Sequence, residues 1–240
     1  LNDVGTYSDP SNSLPEAKTI ISMAFCYDTS EPADLTKEGE PHGILARAYQ
    51  KDVYGEMHRK TKKFAELLRK KGVEMAEESR IPHKMAAVRA GTGWQGKNSL
   101  ILTDRFGSWI TLSSLVVDAE FEPDEPSSKI CGSCHACQRA CPTQAIQAPG
   151  VIDVNRCIGY LTCSPCFIPK ELRSSIGNRL VSCDRCQEVC PGNKPVKDQR
   201  KRIPQLNREF RHSPALIPLL NISEENFRRN HLDKDFISAR

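Results

Sequence analysis

The chain contains little apolar sequence and no long hydrophobic run. Apolar residues make up 38% of its 240 residues, and aromatic residues only 6%. No stretch approaches the roughly 18–20 consecutive apolar residues that a membrane-spanning helix needs, so we predict no membrane span and no membrane partner. The succession of basic, apolar and small residues that forms a signal peptide is also missing. These absences favour a cytoplasmic protein, although the chain begins with Leu1 rather than with methionine.

Cysteine, in contrast, is abundant and unevenly placed. The chain has 11 cysteines, and ten of them lie between Cys131 and Cys190. A disulfide framework is typical of small secreted domains, and neither the length of this chain nor its start fits that class. Two C-x₂-C pairs would also suit a zinc site with four thiolates. The confinement of the cysteines to a quarter of the chain favours a local metal module.

Eight of these cysteines form the two halves of an iron–sulfur framework. The first half reads CGSCHACQRACP, and the second reads CDRCQEVCP. C-x₂-C-x₂-C-x₃-C-P is the bacterial ferredoxin run, in which the fourth cysteine ligates the other cluster. The prolines after Cys141 and Cys190 favour two [4Fe–4S] clusters over zinc. We predict crossed ligation, with a first set of Cys131, Cys134, Cys137 and Cys190 and a second set of Cys141, Cys157, Cys183 and Cys186.

The remaining cysteines carry weaker signals. Cys163 and Cys166 form an extra pair in LTCSPCF. They are either spare or structural thiols or a further metal or alternative ligand set, because a two-residue gap is also a metal spacing. Cys26 lies in the apolar run TIISMAFCY, where we predict a buried core thiol.

The net charge of +4 is concentrated after the second cysteine half. Pro191–Ser213 contains seven lysines and arginines and two acidic residues, which gives a net charge of +5 over 23 residues. Such a segment can hold phosphates, as in nucleic-acid binding. A solvated basic loop explains the composition equally well.

Periodicity predicts a mixed α/β organisation. We expect strands at 18–27, 73–76, 100–103 and 107–118, with the last two forming a hairpin, and helices at 43–71, 82–90, 214–220 and 223–231. Ser223 is a good N-cap for the last helix. The predicted domains are an α/β domain at 1–125, a ferredoxin-like double-cluster module at 126–195, and a basic linker with short C-terminal helices at 196–240.

The main glycine-rich loop, GTGWQGKN, spans residues 91–98. Gly91, Gly93 and Gly96 match G-x-G-x-x-G, but a dinucleotide site needs a strand before the loop and a helix after it. Here the predicted order is the reverse, and the phosphate-binding Walker pattern also fails. The loop is either a tight turn or a close backbone approach to a flat or anionic group, with Trp94 as an aromatic face and Lys97 as a cation.

Several motifs in one order resemble the epoxyqueuosine reductases. GTGWQGKN is followed by FGSWITLSSLVVD, CGSCHACQRACPTQAI, DVNRCIGYLT and IGNRLVSCDRCQEVCPGNK, and the order and spacing match from about residue 46 to residue 232. ARAYQKDVY, which contains Asp52 and Tyr54 in a D-x-Y pattern, and the tail PALIPLLNISEENFRRNH are also similar to segments of that family.

The resemblance implies a cobalamin enzyme related to reductive dehalogenases, with cobalamin between the N-terminal α/β domain and the ferredoxin-like module. The two clusters would relay electrons from an external low-potential donor to cobalt. The reduced cobalt would then remove the epoxide oxygen of epoxyqueuosine in a tRNA anticodon loop. The residues implied to border the cobalamin, or to lie near it, are Gly91, Gly93, Trp94, Gly96, Lys97, Asp52 and Tyr54.

The proton donor departs from the family pattern. Members usually carry an aspartate in a D-S-x-P stretch, and an ungapped match places Glu77 there, with Glu78 one residue away. A longer carboxylate can still protonate a departing oxygen. A pair of exposed surface acids explains the two glutamates equally well. His83 is an alternative acid with a near-neutral intrinsic pKa.

Two other functions compete with this one. The chain stops at Arg240, before the helical repeat region that many members use on tRNA. A cobalamin-dependent reductase of another substrate, in the manner of a reductive dehalogenase, is therefore the first alternative. A two-cluster electron carrier without cobalamin is the second.

Overall fold

The computed structural model describes residues 9–27, 34–49, 52–76, 81–164, 167–194 and 213–230. The N-terminal part is organised around two long antiparallel strands. Strand β1 (Thr19–Cys26) pairs with β5 (Ile110–Val117) over its whole length, from Thr19 opposite Val117 to Cys26 opposite Ile110. The strand predicted at 18–27 is therefore confirmed.

One helix covers each face of this strand pair. Leu115 and Val117 point to helix α1 (Val53–Arg69) and pack with Ala65, whereas Val116 points the other way and packs with Ile81 near helix α2 (His83–Arg89). Successive side chains of a strand alternate between its two faces. Because both faces are covered, the apolar end of β5 is buried without alternation.

The predicted long helix at 43–71 is wrong in its first ten residues. That segment instead forms the short strand β2 (Ile44–Leu45) and a 3₁₀ turn at Arg47–Tyr49. Helix α1 starts only at Val53, because the Asp52 carboxylate caps it by accepting a hydrogen bond from the Gly55 N–H at 3.0 Å. The apolar residues before Asp52 continue the helical spacing by coincidence.

The predicted hairpin between 100–103 and 107–118 is also wrong. Strand β4 (Ile101–Leu102) pairs with β3 (Trp94–Gln95), and β5 pairs with the distant β1. Only a single bridge, Thr103 with Gly107, joins the two predicted partners. Local alternation identified the strands, but the partner of a strand is a long-range choice that depends on which faces the helices cover.

The other predicted elements agree with the structure. Helix α2 lies within the predicted 82–90 segment. The 73–76 segment forms one bridge, from Met75 to Val117, at the edge of β5. The cysteine-rich part contains β6 (Ile146–Ala148), β7 (Val151–Ile152), β8 (Arg179–Val181), α3 (Ala136–Ala140), α4 (Ile158–Leu161), α5 (Lys170–Ile176) and α6 (Arg185–Glu188).

Two helices close the described chain. They are α7 (Leu216–Leu220) and α8 (Glu224–Asn230), and the Ser223 hydroxyl caps α8 by accepting from the Asn226 N–H at 3.2 Å. His42 holds the start of this tail, since its Nδ1 lies 2.7 Å from the Ser213 carbonyl oxygen. None of the helices in the described ranges combines the length and hydrophobicity that a membrane crossing requires.

The N-terminal and cysteine-rich parts are joined by backbone and side-chain contacts. Strand β2 runs parallel to β8, so the segment before α1 is paired with the module at 126–195. The side chains of Ser108 and Gln187 are hydrogen-bonded at 2.9 Å, and the Ser108 N–H donates to the Asn193 side chain at 2.7 Å. The domain boundaries at 125 and 195 stay a prediction.

Candidate cofactor site

A cavity of about 730 Å³ lies between the N-terminal strands and the cysteine-rich part. One wall includes Ile110 and Leu112 of β5, and another includes His83 at the start of α2. The four cysteines of the second predicted set also line it: Cys141, Cys157, Cys183 and Cys186. None of the four cysteines of the first set, all of which are described, lines this cavity. The two sets therefore differ in their access to it.

The local backbone conformation is extended at two of these cysteines. Helix α3 ends at Cys141, whose backbone is extended (φ −69°, ψ 114°) because the following Pro142 disfavours a helical conformation. The Ala145 N–H then donates to the Cys141 Sγ at 3.2 Å. Cys157 is likewise extended, at φ −72° and ψ 115°, immediately before α4. Cys141 and Cys157 thus both lie at a helix end in an extended backbone conformation.

The thiols influence one another within the two predicted sets. Burial raises the pKa of the Cys190 thiol, and the neighbouring Cys131 and Cys134 raise it further. Burial also raises the pKa of Cys186, and Cys183 adds to this shift. Collecting thiolates in a buried place is unfavourable without a positive partner, which the iron of a cluster supplies. The residues present therefore fit two clusters held by crossed sets.

The spacing of the thiols is too wide for one ion. Among the residues that the structure describes, no three histidine, cysteine or carboxylate side chains converge closely enough to hold a single metal ion. A tetrahedral zinc site needs four sulfurs at about 2.3 Å from one centre. A four-iron cluster is a larger body and holds its thiolates further apart. A set of four thiolates also suits such a cluster.

Hydrogen bonds to the sulfurs come mainly from nearby backbone N–H groups. The N–H groups of Gly192 and Asn193 lower the pKa of Cys190 against the effect of burial, and that of Arg185 does the same for Cys183. Such donors stabilise negative charge on sulfur and contribute to the reduction potential of a cluster.

Three tyrosines line the cavity on the N-terminal side. They are Tyr27, Tyr49 and Tyr54, and burial raises the pKa of each phenol. The rings of Tyr49 and Tyr54 are tilted by 54° with their centroids 6.2 Å apart. Raised pKa values keep these phenols protonated at neutral pH. They can therefore donate hydrogen bonds to a molecule in the cavity.

Cys163 lies beside these tyrosines and outside both cysteine sets. Its side chain is exposed, and its Sγ donates a long hydrogen bond of 3.7 Å to the Tyr49 hydroxyl. Its predicted partner, Cys166, lies outside the described residues. The two interpretations of the pair, as structural thiols or as further ligands, stay open. Cys26 is half-buried at the end of β1, so the prediction of a fully buried thiol there is wrong.

A buried hydrogen bond holds Asp184, which lines the cavity. The backbone N–H of Arg47 donates to the Asp184 carboxylate at 2.7 Å, and the Arg47 guanidinium lies over the Trp109 ring, 4.2 Å from its centroid. Burial raises the pKa of Asp184, and the hydrogen bond and charge of Arg47 oppose that shift. The pair ties the turn before α1 to the residue next to Cys183.

Most of the residues implied to contact cobalamin lie away from the cavity. Of the seven, all within the described ranges, only Tyr54 lines it. The Lys97 Nζ donates to the Gly132 carbonyl at 2.7 Å, in the loop between Cys131 and Cys134. Trp94 lies under Lys129, whose Nζ is 5.7 Å from the ring centroid. This end of the glycine-rich loop therefore faces the first cysteine set.

The glycines of this loop are required by packing within the chain. Gly91 has a φ of +61°, and a Cβ there would collide with the Glu125 carbonyl oxygen. A Cβ at Gly93 would collide with the Leu102 carbonyl oxygen across the β3–β4 pair. These contacts agree with the tight-turn interpretation. Contact of the loop with cobalamin stays a prediction.

The residues predicted as proton donors, and Asp52, lie in different places. Glu77 and Glu78 lie outside the described residues. His83 is half-buried, with its Nδ1 3.0 Å from the Ser114 Oγ, and burial lowers its pKa. Asp52 is exposed, where it caps α1 and pairs with Arg59 at 3.1 Å. The structure thus brings Tyr54 and His83 to the cavity and leaves Asp52 at the surface.

Comparison with known proteins agrees with this site. Residues 130–193 match the family described as the 4Fe-4S double cluster binding domain. The epoxyqueuosine reductase of Bacillus cereus is 35% identical over 236 residues, which cover 95% of this chain and 62% of that protein. The Escherichia coli epoxyqueuosine reductase is 35% identical over 231 residues, covering 91% of this chain and 59% of that protein.

Over more than nine tenths of its length, the chain is similar to epoxyqueuosine reductases. Its iron–sulfur clusters are accordingly those of a double-cluster domain. The chain spans about three fifths of the length of the curated family members that it matches.

Solved structures of the family share the mixed α/β fold. A Bacillus subtilis epoxyqueuosine reductase, with its catalytic loop swung out of the active site, superimposes with a TM-score of 0.79 at 33% identity, covering 95% of this chain and 62% of that one. An epoxyqueuosine reductase with an epoxyqueuosine-modified tRNA-Tyr stem loop has a TM-score of 0.77 at 32% identity, covering 93% of this chain and 63% of that one.

Several residues that line this cavity were not identified from the sequence. Tyr27 directly follows Cys26 at the end of β1, and Tyr49 lies in the ARAYQKDVY segment, three residues before Asp52. Asn98 closes the glycine-rich loop. The only available signal was their position beside motifs already identified, because a single tyrosine or asparagine has no characteristic spacing.

Proposed function

We propose that this chain is an iron–sulfur and cobalamin-dependent reductase that converts epoxyqueuosine in tRNA to queuosine. The observation that carries the proposal is the cavity of about 730 Å³ with four cysteines of one cluster set in its wall. An electron carrier needs exposed clusters but no large cavity beside them. The names of the relatives supply the substrate.

Reduction of epoxyqueuosine requires a supply of electrons and protons. Converting an epoxide to an alkene releases its oxygen as water and consumes two electrons and two protons. A [4Fe–4S] cluster transfers one electron at a time, so two clusters and an external low-potential donor suit the reaction. The first set takes electrons from the donor, and the second set, which borders the cavity, delivers them.

The cavity offers a suitable environment for cobalamin. Its β5 wall includes Ile110 and Leu112, and Tyr49 and Tyr54 provide aromatic and hydroxyl contacts. The Thr111 Oγ1, also in this wall, is buried and has no hydrogen-bond partner among the described residues, as expected of an atom that contacts a bound group. Cobalamin, when bound, supplies the reducing cobalt centre that removes the epoxide oxygen.

Glu77 is our proposed proton donor. Ile81, four residues after Glu77 in the chain, lines the cavity. A carboxylic acid in an apolar, water-poor site retains its proton more readily, which suits a general acid. His83 is less suitable because burial lowers its pKa and leaves the ring mostly neutral at pH 7.

The tRNA partner rests on similarity to epoxyqueuosine reductases and on charge. The basic segment Pro191–Ser213 follows Cys190, but residues 195–212 lie outside the described ranges. A basic surface close to the cavity would hold the anticodon phosphates and bring the modified base to the site. Salt should weaken such binding.

The proposal is tested first by cofactor content. The full chain is purified anaerobically, reconstituted with iron and sulfide, and mixed with cobalamin. We expect a bound corrinoid in the visible spectrum after gel filtration, and no corrinoid would indicate a plain electron carrier. A Leu112→Lys variant, which places a charge in the cavity wall, should retain both clusters and lose the corrinoid.

The second test addresses the substrate. This chain is expressed in a strain that lacks its own epoxyqueuosine reductase, and tRNA nucleosides are analysed by mass spectrometry. We expect queuosine to replace epoxyqueuosine. A chain that binds cobalamin but leaves epoxyqueuosine unchanged would instead reduce another substrate, in the manner of a reductive dehalogenase.

A further inference from the structure

Lys97 is attached to the cysteine-rich part through both its side chain and its backbone. Its Nζ donates a hydrogen bond to the Gly132 carbonyl oxygen at 2.7 Å, and its own carbonyl oxygen accepts from the Gly150 N–H at 3.0 Å. Gly150 has a φ of +76°, a left-handed conformation that favours glycine. Two hydrogen bonds to separate segments therefore fix this lysine of the glycine-rich loop against the cysteine-rich part.

Gly132 lies in a turn between two cysteines of the first set. The Cys134 N–H donates to the Cys131 carbonyl oxygen at 3.2 Å, and Gly132 has a φ of +54° within this turn. Because the Lys97 Nζ is hydrogen-bonded to the Gly132 carbonyl, the ammonium lies beside the turn at 131–134. Lys97 does not line the cavity. Its cation is therefore placed at the first cysteine set and not at the cofactor site.

The contacts of Lys97 leave its positive charge uncompensated. The His135 Nε2 lies 3.5 Å from the Lys97 Nζ, and the His135 Nδ1 lies 2.6 Å from the Gln138 Oε1. An ammonium can only donate hydrogen bonds, so the Nε2 accepts and the Nδ1–H donates to the amide oxygen. The neighbouring cation Lys129 pairs with Asp104, whereas no carboxylate in the described ranges forms an ion pair with Lys97.

We propose that Lys97 raises the reduction potential of the first cluster through its positive charge beside the turn at 131–134. Reduction adds one electron, and hence one negative charge, to a [4Fe–4S] cluster, and a fixed cation stabilises the reduced form more than the oxidised form. A low-potential one-electron donor outside the protein then reduces the first cluster more readily. This role differs from the contact with cobalamin that the family resemblance implies for Lys97.

The inference rests on the proposal that one cluster is held by the cysteines of the first half, Cys131, Cys134 and Cys137. It does not depend on which cysteine supplies the fourth ligand, because the turn that Lys97 contacts lies within this triplet.

Three substitutions separate the charge of Lys97 from its hydrogen bond. Lys97→Arg retains the charge and a donor, Lys97→Gln retains a donor without the charge, and Lys97→Met retains neither. The matched control is Lys84→Met, which removes a cation of the cavity wall whose Nζ donates to the Ser99 carbonyl at 2.8 Å. Full-length protein is reconstituted with both clusters, without cobalamin or tRNA. The potential of each cluster is measured at one fixed pH by redox titration followed by EPR.

We expect a more negative potential of the first cluster in Lys97→Gln and Lys97→Met, and a potential close to that of the wild type in Lys97→Arg. The second cluster should shift less than the first, and Lys84→Met should leave the first cluster unchanged. Salt screens exposed charges, so the difference between the wild-type and Lys97→Met proteins should shrink as the ionic strength rises. A Cys137→Ala protein, which should lack the first cluster, assigns the signals.

Four results would each overturn the proposal: an unchanged first-cluster potential in both neutral variants, an equal shift of both clusters, an equal shift in Lys97→Arg and Lys97→Met, or loss of the first cluster from both neutral variants. The last result would make Lys97 necessary for assembly of the cluster and not for its potential. The measurement uses neither cobalamin nor tRNA, and Cys137 belongs to the triplet whichever cysteine completes the set. A wrong substrate or a wrong fourth ligand would therefore leave its outcome unaffected.

Discussion

Cys190 lies close to cysteines of the other half of the framework. It follows α6, which contains Cys186, and Cys131 and Cys134 add to the pKa increase that burial causes in its thiol. The packing of α3 against α6 brings the two halves together. The crossed ligation that we propose would make each cluster depend on both halves of the cysteine-rich part.

Replacing Cys190 by alanine should remove the first cluster and spare the second. The physical reason is the loss of one of four thiolate ligands from the first set alone. Iron content should fall to about half, and the EPR signal of one cluster should disappear. The matched variant Cys141→Ala should remove the other signal instead. Loss of the second cluster from Cys190→Ala would contradict the crossed ligation.

Replacing Glu77 by glutamine should abolish turnover and spare both clusters. The amide has nearly the same size but cannot donate an acidic proton, so we expect a loss of about 10²-fold or more in the rate of queuosine formation. The rate is measured with reduced enzyme and epoxyqueuosine tRNA. Glu78→Gln is the control and should retain activity. An active Glu77→Gln enzyme would exclude Glu77 as the acid.

His83 should make the protein less stable in mild acid. Its pKa is lowered by burial, so the unfolded chain binds the proton more readily than the folded one. The free energy of unfolding should fall as the pH drops below about 6.5, the ordinary histidine pKa. The fall should end once the pH is below the pKa of His83 in the folded protein. Between pH 7.5 and pH 5.5, the melting temperature of the His83→Asn protein should fall less than that of the wild-type protein. An equal loss in both proteins would show that His83 does not titrate in this way.

Helix α1 shows why a sequence pattern can place an element correctly and its start wrongly. Apolar residues at helical spacing extend back to residue 45, but the Asp52 cap ends the helix on its N-terminal side. The backbone before it instead pairs with β8 and forms the turn that places Ala48 and Tyr49 in the cavity wall. Capping and strand pairing outweigh periodicity there.

Asp52 should behave as a helix cap. Asp52→Ala should lower the free energy of unfolding by about 1 kcal/mol, because the Gly55 N–H loses its acceptor. Asp52→Asn retains a capping oxygen and should recover most of that loss. Thermal melts of anaerobic holoprotein would measure both effects. Corrinoid binding that falls in Asp52→Asn at unchanged stability would indicate the cofactor contact that the family resemblance implies.

At the scale of the whole molecule, the cavity exists because two parts of the chain are rigidly joined. Ser108, Gln187 and Asn193 form a buried hydrogen-bonded network across the junction. Gly107, at a φ of +53°, lets the backbone approach the Asn193 side chain. The distance from the cluster module to β5 is therefore fixed by side chains that perform no chemistry.

Asn193→Ala should loosen this junction. The Ser108 N–H would lose its buried acceptor, which should lower the free energy of unfolding by about 1–3 kcal/mol. The melting temperature should fall, and corrinoid affinity should weaken because the cavity walls move relative to each other. Asn155→Ala changes an exposed asparagine away from the junction and serves as the control. A stable Asn193→Ala protein with normal corrinoid affinity would show that the network is dispensable.

The sequence by itself determined the chemistry of the clusters, since cysteine spacing and the prolines after Cys141 and Cys190 are local properties. It also determined β1, α2 and the Ser223 cap, whose signals lie within a few residues. Only the tertiary structure decided that β5 pairs with β1 and that the second cysteine set borders the cavity. These depend on contacts between residues far apart in the chain, and their free energies arise from burial that no local pattern records.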